Sequence, residues 1–123
     1  MSGRESLLLG RWGEALAAQY LREKGCRVVA ANWRCRFGEL DLVAEDGPYL
    51  CFVEVKLRRS AAYGQAGEAV TGRKREKLRT AAQLYLSQHP TALQPRFDVV
   101  EIYAPQGAAT PQPRLRRLEN AFF

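Results

Sequence analysis

The chain has 123 residues, a formal net charge of +6 at pH 7, and 46% hydrophobic residues. This length fits one domain with one core, and the composition excludes an intrinsically disordered chain. No apolar run reaches the roughly 18–20 residues of a bilayer span, and no secretory signal pattern opens the chain. We therefore expect a cytosolic protein without a membrane partner.

Apolar residues at helical spacing predict a first helix from Leu7 to Lys24, closed by Gly25. Three strands should follow, and they are predicted at Arg27–Arg34, Glu39–Glu45 and Tyr49–Leu57. The turn residues Asp46-Gly47-Pro48 indicate that the second and third strands form a hairpin. In the second strand, strict alternation predicts Leu40, Leu42 and Ala44 on one face and Glu39, Asp41 and Val43 on the other.

The second half of the chain predicts a loop, a helix and a strand. The segment from Arg58 to Gly67 has little apolar content and is typical of a mobile loop. A second helix is expected to run from an N-cap at Thr71 to Gln88, with a core face of Leu78, Ala81, Ala82, Tyr85 and Leu86. A further strand is predicted at Arg96–Tyr103.

The resulting order α-β-β-β-α-β predicts an α/β fold in which helices flank a mixed sheet. We expect one domain over residues 1–104. Residues 105–123 should form a Pro/Gly/Ala/Gln linker, Pro105–Pro113, followed by a C-terminal strand or tail that packs on the same domain.

The sequence pI of about 9.6 favours an anionic partner. Nucleic acid is preferred over a membrane surface because no basic amphipathic helix with a strong apolar face lies at a terminus. Cys26, Cys35 and Cys51 fit no metal-ligand spacing and are interpreted as reduced thiols. Trp12 is interpreted as a core residue, and the single histidine, His89, as a capping or surface residue.

The predicted hairpin contains the charged residues that form a candidate functional site. If it closes symmetrically about its turn, Asp41 lies opposite Glu54, and Glu39 lies opposite Lys56. Two facing carboxylates repel each other, so this arrangement needs a counter-charge. A divalent cation such as Mg²⁺ is one candidate, and a salt-bridge network with Lys56 is the other. Both strands are otherwise nearly continuous apolar runs, where unpaired charges are costly, and this position favours a functional site.

The sequence resembles a known family in several motifs, which occur in the same order along the chain. The motifs are Gly10–Ala15, Gly38–Ala44, Phe52–Arg58, Ala69–Thr71 with Lys74, and Phe97–Val100. They are similar to those of the YraN-like family of uncharacterised bacterial proteins, which is assigned to the restriction-endonuclease-like, PD-(D/E)XK nuclease superfamily. Leu40 stands where the superfamily's name has a proline, a residue often absent from its members.

The resemblance implies a restriction-endonuclease-like core and a role for each matched residue. Asp41 and Glu54, helped by the Val55 carbonyl, would bind Mg²⁺ or Mn²⁺. Lys56 would orient the attacking water and counter the charge that develops on the phosphate. Glu14 matches an additional metal ligand of related Holliday-junction resolvases, and Glu39 is a weaker candidate.

Basic residues crowd the start of the second helix and suggest where a nucleic acid would bind. Arg73 and Lys74 are the candidate phosphate contacts there, and Lys74 also matches a family position. Arg58 and Arg59 would extend this track. The alternative is an ordinary solvated helix face.

Three functions remain open on the sequence. The first is a metal-dependent DNA nuclease, with branched DNA as one substrate and a homodimer as one assembly. The second is a catalytically silent module of the same fold that binds nucleic acid or a partner. The third is a structural protein whose acidic cluster is only a salt-bridge network.

Overall fold

A computed structural model describes residues 3–59 and 72–122 of the chain. These residues form two α-helices, one short 3₁₀ turn and five strands. Their bounds are α1 Gly3–Glu23, β1 Arg27–Cys35, β2 Gly38–Asp46, β3 Tyr49–Arg58, α2 Gly72–Gln88, β4 Gln94–Tyr103, the 3₁₀ turn Gly107–Ala109, and β5 Arg114–Phe122. The predicted α/β fold, with helices flanking a central mixed sheet, is confirmed.

The five strands form one sheet in the order β1-β2-β3-β4-β5. Neighbouring strands are antiparallel except for β3 and β4, which are parallel. Parallel neighbours require a crossover, and α2 supplies it because it lies between these two strands in the chain. The segment predicted as a C-terminal strand or tail is the edge strand β5.

Each face of the sheet is covered by one helix. On one face α1 packs Ala17 and Leu21 against residues such as Leu42 and Ile102. On the other face α2 contributes the predicted Leu78, Ala81, Ala82 and Tyr85, with Leu86 partly buried against them. The central strands are apolar on both faces because both faces are covered, which explains their continuous apolar sequence.

Several predicted bounds differ from the structure. Helix α1 begins at Gly3, before the predicted start at Leu7, because residues 3–6 are polar or glycine and carry no apolar periodicity. Leu7 and Leu8 in its first turns are exposed. Arg58 belongs to β3 instead of the predicted loop, and its guanidinium pairs with Glu101 at 3.1 Å. Most of that loop and the predicted N-cap Thr71 lie outside the described residues.

The alternation predicted for β2 is wrong at Leu40. This side chain packs with Val43 in the core under α2, whereas Leu42 and Ala44 pack in the core under α1. The paired residues of β1 and β2 skip Asp41 and its neighbour on β1, Asn32, whose φ is +53°. Leu40 and Leu42 thus pack on opposite faces of the sheet at this unpaired step, beside the left-handed backbone of Asn32.

A buried ionic cluster joins β4 to β5. The fully buried Asp98 accepts hydrogen bonds from Arg96 at 2.9 Å, from Arg117 at 2.9 Å and from the Asn120 amide at 2.9 Å. No sequence motif predicted this cluster. It satisfies a charge that would otherwise be strongly destabilising inside a sheet.

Neither helix in the described part of the chain is long and apolar enough to cross a bilayer.

Candidate functional site

Asp41 lies where β2 and β3 separate. Regular pairing runs from Asp46 opposite Tyr49 to Leu42 opposite Val53 and then stops. Beyond this point the Val55 amide donates a hydrogen bond to Asp41 Oδ2 at 2.9 Å. The predicted register is confirmed up to Leu42, but the predicted pairing of Asp41 with Glu54 and of Glu39 with Lys56 is not part of the ladder, because the Asp41 carboxylate takes the place of a backbone acceptor.

Helix α1 brings Glu14 to this point of the sheet. The preceding Gly13 is buried, and a Cβ atom there would lie 3.3 Å from the Leu57 side chain, so glycine permits the close approach of helix and strand. Asn32 donates a side-chain hydrogen bond to Glu14. The left-handed backbone of Asn32, which asparagine tolerates better than most residues, thus serves to hold a site carboxylate.

Three carboxylates converge here. Oxygen atoms of Glu14, Glu39 and Asp41 all lie within 4.8 Å of one another. Glu39 also contacts Arg34 at 3.6 Å. Glu39 was predicted as the weaker ligand, yet its carboxylate belongs to this group together with that of Glu14.

The second half of the site combines Glu54 with two lysines. Glu54 is only 6% exposed, and its Oε1 lies 2.6 Å from the ammonium of Lys74 on α2. Beyond the effect of its burial, Lys56 interacts with Lys74, which lowers its pKa, and with the charges of Glu54 and Asp41, which raise it. The structure pairs Glu54 with Lys74, which the sequence predicted as a phosphate contact at a position matched to the family. The predicted network between Lys56 and the acids stays a prediction.

The pKa values of the site follow from burial and crowding. Burial, followed by the charge of Glu54, raises the pKa of Asp41 from 3.8 to about 8, although the hydrogen bond from Val55 opposes the change. Burial likewise raises the pKa of Glu14. Burial, followed by the adjacent Lys74, lowers the pKa of Lys56 from 10.5 to about 8. All three shifts therefore have the burial of an ionisable group as their largest cause.

The arrangement suits a hard divalent cation. Mg²⁺ and Mn²⁺ prefer oxygen ligands, and Mg²⁺ is usually bound through one or two carboxylates together with water and substrate oxygens. The oxygens of Glu14, Glu39 and Asp41 provide such a donor set. The raised pKa of Asp41 marks a buried charge that a cation would stabilise. At Val55 the group that contacts Asp41 is the amide, so a ligand role for its carbonyl stays a prediction.

We expect the metal-free protein to lose stability as the pH rises from about 4 to about 8 through Asp41. In this window the folded state keeps a proton on Asp41 that the unfolded chain has released, so the unfolded state binds fewer protons. The lowered pKa of Lys56 acts in the opposite direction only above about pH 8. The melting temperature in EDTA should fall more steeply with pH for the wild type than for Asp41→Asn. Parallel curves for the two proteins would contradict this expectation.

The predicted phosphate track divides into different environments. Arg73 and Arg59 are exposed, whereas Arg58 is half-buried and paired with Glu101.

The interpretations of Trp12, His89 and the three cysteines agree with the structure. Trp12 on α1 is partly buried against the core between this helix and the sheet. The His89 ring stacks on the Tyr85 ring, with 4.2 Å between the ring centroids. All three cysteines, Cys26, Cys35 and Cys51, are free thiols, of which Cys26 and Cys51 are buried.

Comparison with known proteins agrees with the motifs. A model of the uncharacterised protein family UPF0102 matches residues 13–102, which include every acidic residue of the site. A UPF0102 protein of Stutzerimonas stutzeri is 50% identical over 120 residues, covering 96% of this chain and 97% of that protein. A UPF0102 protein of Pelotomaculum thermopropionicum is 47% identical over 116 residues, covering 94% of this chain and 95% of that protein. A UPF0102 protein of Renibacterium salmoninarum is 47% identical over 118 residues, covering 95% of this chain and 98% of that protein. The chain therefore belongs to the UPF0102 family.

Proposed function

We propose that the protein is a metal-dependent nuclease that hydrolyses phosphodiester bonds in DNA. The observation that carries this proposal is the meeting of Glu14, Glu39 and Asp41 with the Glu54–Lys74 pair and Lys56 where β2 and β3 separate. Acidic residues beside a buried lysine on two central strands are the expected constellation of the PD-(D/E)XK superfamily. The order of helices and strands supports the same assignment.

Glu14, Glu39 and Asp41 would hold Mg²⁺ or Mn²⁺, with Glu54 adjoining. When bound, the cation would lower the pKa of water and neutralise charge on the phosphoryl oxygens. The Val55 amide fixes the Asp41 carboxylate, and Asn32 fixes that of Glu14, so the ligands are oriented before any substrate arrives. Preorganised ligands of this kind avoid a reorganisation cost during the reaction.

Lys56 is the proposed catalytic residue of the protein itself. Its half-buried amine has a pKa of about 8, so near neutral pH it exchanges a proton readily. In its charged form it would donate hydrogen bonds to a phosphate oxygen and counter the negative charge that develops there. Lys74, 2.6 Å from Glu54, supplies the counter-charge for that carboxylate.

DNA is the proposed polymer because the chain is basic and its site suits phosphodiester chemistry. Branched DNA is the favoured form, since Glu14 matches an acidic position of junction resolvases and lies in the acidic group. Reduced thiols in the described residues accord with action in the cytosol.

A catalytically silent binding module is the second candidate, and one contact favours it. The Lys74 ammonium lies 2.6 Å from Glu54, where it neutralises a carboxylate that the resemblance assigns to a metal. In such a module Lys74 would replace the metal permanently. The two candidates differ in whether a divalent cation binds.

Titration with Mn²⁺ distinguishes the two candidates. We expect calorimetric binding in the micromolar-to-millimolar range and, at a hundredfold excess over the Kd, stabilisation of the wild type by about 2.7 kcal/mol. Asp41→Asn should lose this response. Glu45→Gln is the matched control, because Glu45 lies on the same strand and pairs with Arg27 outside the site. Absence of binding by the wild type would favour the silent module.

A further inference from the structure

An open cavity lies between the tip of the β1–β2 hairpin and the first turns of α2. Its volume is about 350 Å³, within the usual range of ligand pockets. The hairpin contributes Arg36 and Phe37, and the helix contributes Arg73, Glu76, Lys77 and Thr80. These residues include no carboxylate of the acidic group described above, so the cavity is a separate feature of the surface.

The lining combines positive charge with an aromatic ring. Its three cations, Arg36, Arg73 and Lys77, face one anion, Glu76. The Arg36 guanidinium lies 4.8 Å from the centroid of the Phe37 ring, and this ring also borders the cavity. Cations that follow a backbone, together with an aromatic side chain that stacks on a base, are how proteins bind single-stranded nucleic acid. A purely apolar ligand would not match three cations.

The cavity adjoins the acidic site along both of its walls. On β2, Gly38 follows Phe37 directly, and Asp41 lies three positions after Gly38, roughly 10 Å further at the rise of an extended strand. On α2, Arg73 precedes Lys74, whose ammonium contacts Glu54. A strand of nucleic acid with one nucleotide in the cavity would reach the site within about three stacked nucleotides.

We infer that this cavity binds an unpaired nucleotide of the substrate, with its base stacked on Phe37 and its phosphates beside Arg73 and Lys77. The Glu76 carboxylate would accept hydrogen bonds at the base edge, and so would Thr80 Oγ1, whose hydroxyl donates to the Glu76 carbonyl at 3.0 Å. In a duplex, stacking hides the base face and pairing hides the base edge that these residues would contact. The preferred substrate is therefore one that carries a single-stranded segment. That this substrate is then cleaved near the segment rests on the proposed nuclease function.

Binding of short oligonucleotides tests the inference independently of cleavage. The probes are labelled single strands of about twelve nucleotides, as DNA and as RNA, and a blunt DNA duplex. All binding measurements use the full chain with Asp41→Asn, so that no probe is hydrolysed. Phe37→Leu removes the aromatic face and keeps an apolar side chain, whereas Phe37→Tyr keeps the ring. Lys77→Gln changes an exposed residue that folding does not need, and Arg22→Gln removes an exposed cation far along α1 as the charge control.

We expect Phe37→Leu to weaken single-strand binding by roughly five- to a hundredfold, and Phe37→Tyr to leave it nearly unchanged. Lys77→Gln should lower the slope of log affinity against log salt by about 0.7, which Arg22→Gln should not do. The DNA and RNA arms show which polymer is preferred. Equal single-strand affinities for all these variants, an equal loss on duplex and single strand, or no single-strand binding at all would overturn the inference. If the single-strand effects occur but the wild type cleaves nothing in Mn²⁺, the nuclease proposal fails and the nucleotide site stands.

Discussion

Asp41→Asn is expected to reduce phosphodiester hydrolysis by about a thousandfold or more, without loss of folded protein. The substitution removes the central carboxylate of the acidic group, so the remaining acids would hold a cation weakly. The amide oxygen of asparagine can still accept the hydrogen bond from Val55, so the local backbone is retained. Initial rates in Mn²⁺, measured beside thermal unfolding, provide both readouts.

The same substitution separates a metal site from a structural salt bridge. A carboxylate that only stabilised the fold would cost the protein a few kcal/mol when replaced. A metal-site carboxylate that is crowded by Glu54 and Glu14 should instead leave the metal-free protein as stable as before, or more stable at pH 8. Glu45→Gln on the same strand should change neither rate nor stability appreciably. Marked destabilisation by Asp41→Asn, with an unchanged rate, would contradict the account.

Asp98→Ala is expected to destabilise the fold by about 3–5 kcal/mol, a large fraction of the stability of a domain of this size. Asp98 is fully buried and accepts hydrogen bonds from Arg96, Arg117 and the Asn120 amide. Its removal would leave two largely buried guanidinium groups facing each other without their main counter-charge. The free energy of unfolding in urea measures the effect.

A neighbouring acid provides the control for this prediction. Glu119 contacts the same two arginines at 3.6 and 3.7 Å, but its side chain is 57% exposed. Glu119→Gln should therefore change stability by less than about 1 kcal/mol. Similar losses from both substitutions would show that burial does not determine the strength of this cluster.

The periodicity of the sequence was sufficient to predict the fold. The central strands were identified because they are apolar on both faces, and the hairpin register was correct from Asp46 to Leu42 because the turn Asp46-Gly47-Pro48 determines it. The start of α1 was misplaced because residues 3–6 contain no apolar side chain and therefore carry no helical periodicity.

The site was predictable in its residues but not in its contacts. Asp41, Glu54 and Lys56 were identified from charges inside apolar strands. The separation of the strands at Asp41 was not predicted, because it depends on the Asp41 carboxylate accepting the hydrogen bond of the Val55 amide in place of a backbone carbonyl. An asparagine at position 32 of a predicted strand was the available signal for irregular backbone. The pairing of Lys74 with Glu54 depends on how α2 docks, which local sequence does not encode.

The central claim is most directly tested by cleavage of defined DNA. Purified wild type and Asp41→Asn would be incubated with labelled single-stranded, duplex, flap and four-way-junction DNA, in Mg²⁺, in Mn²⁺ and in EDTA. We predict cleavage by the wild type in metal only, absent in Asp41→Asn, and strongest on substrates that carry unpaired or branched segments. Tight binding of these DNAs by both proteins without cleavage in either metal would contradict the nuclease account and favour the silent binding module.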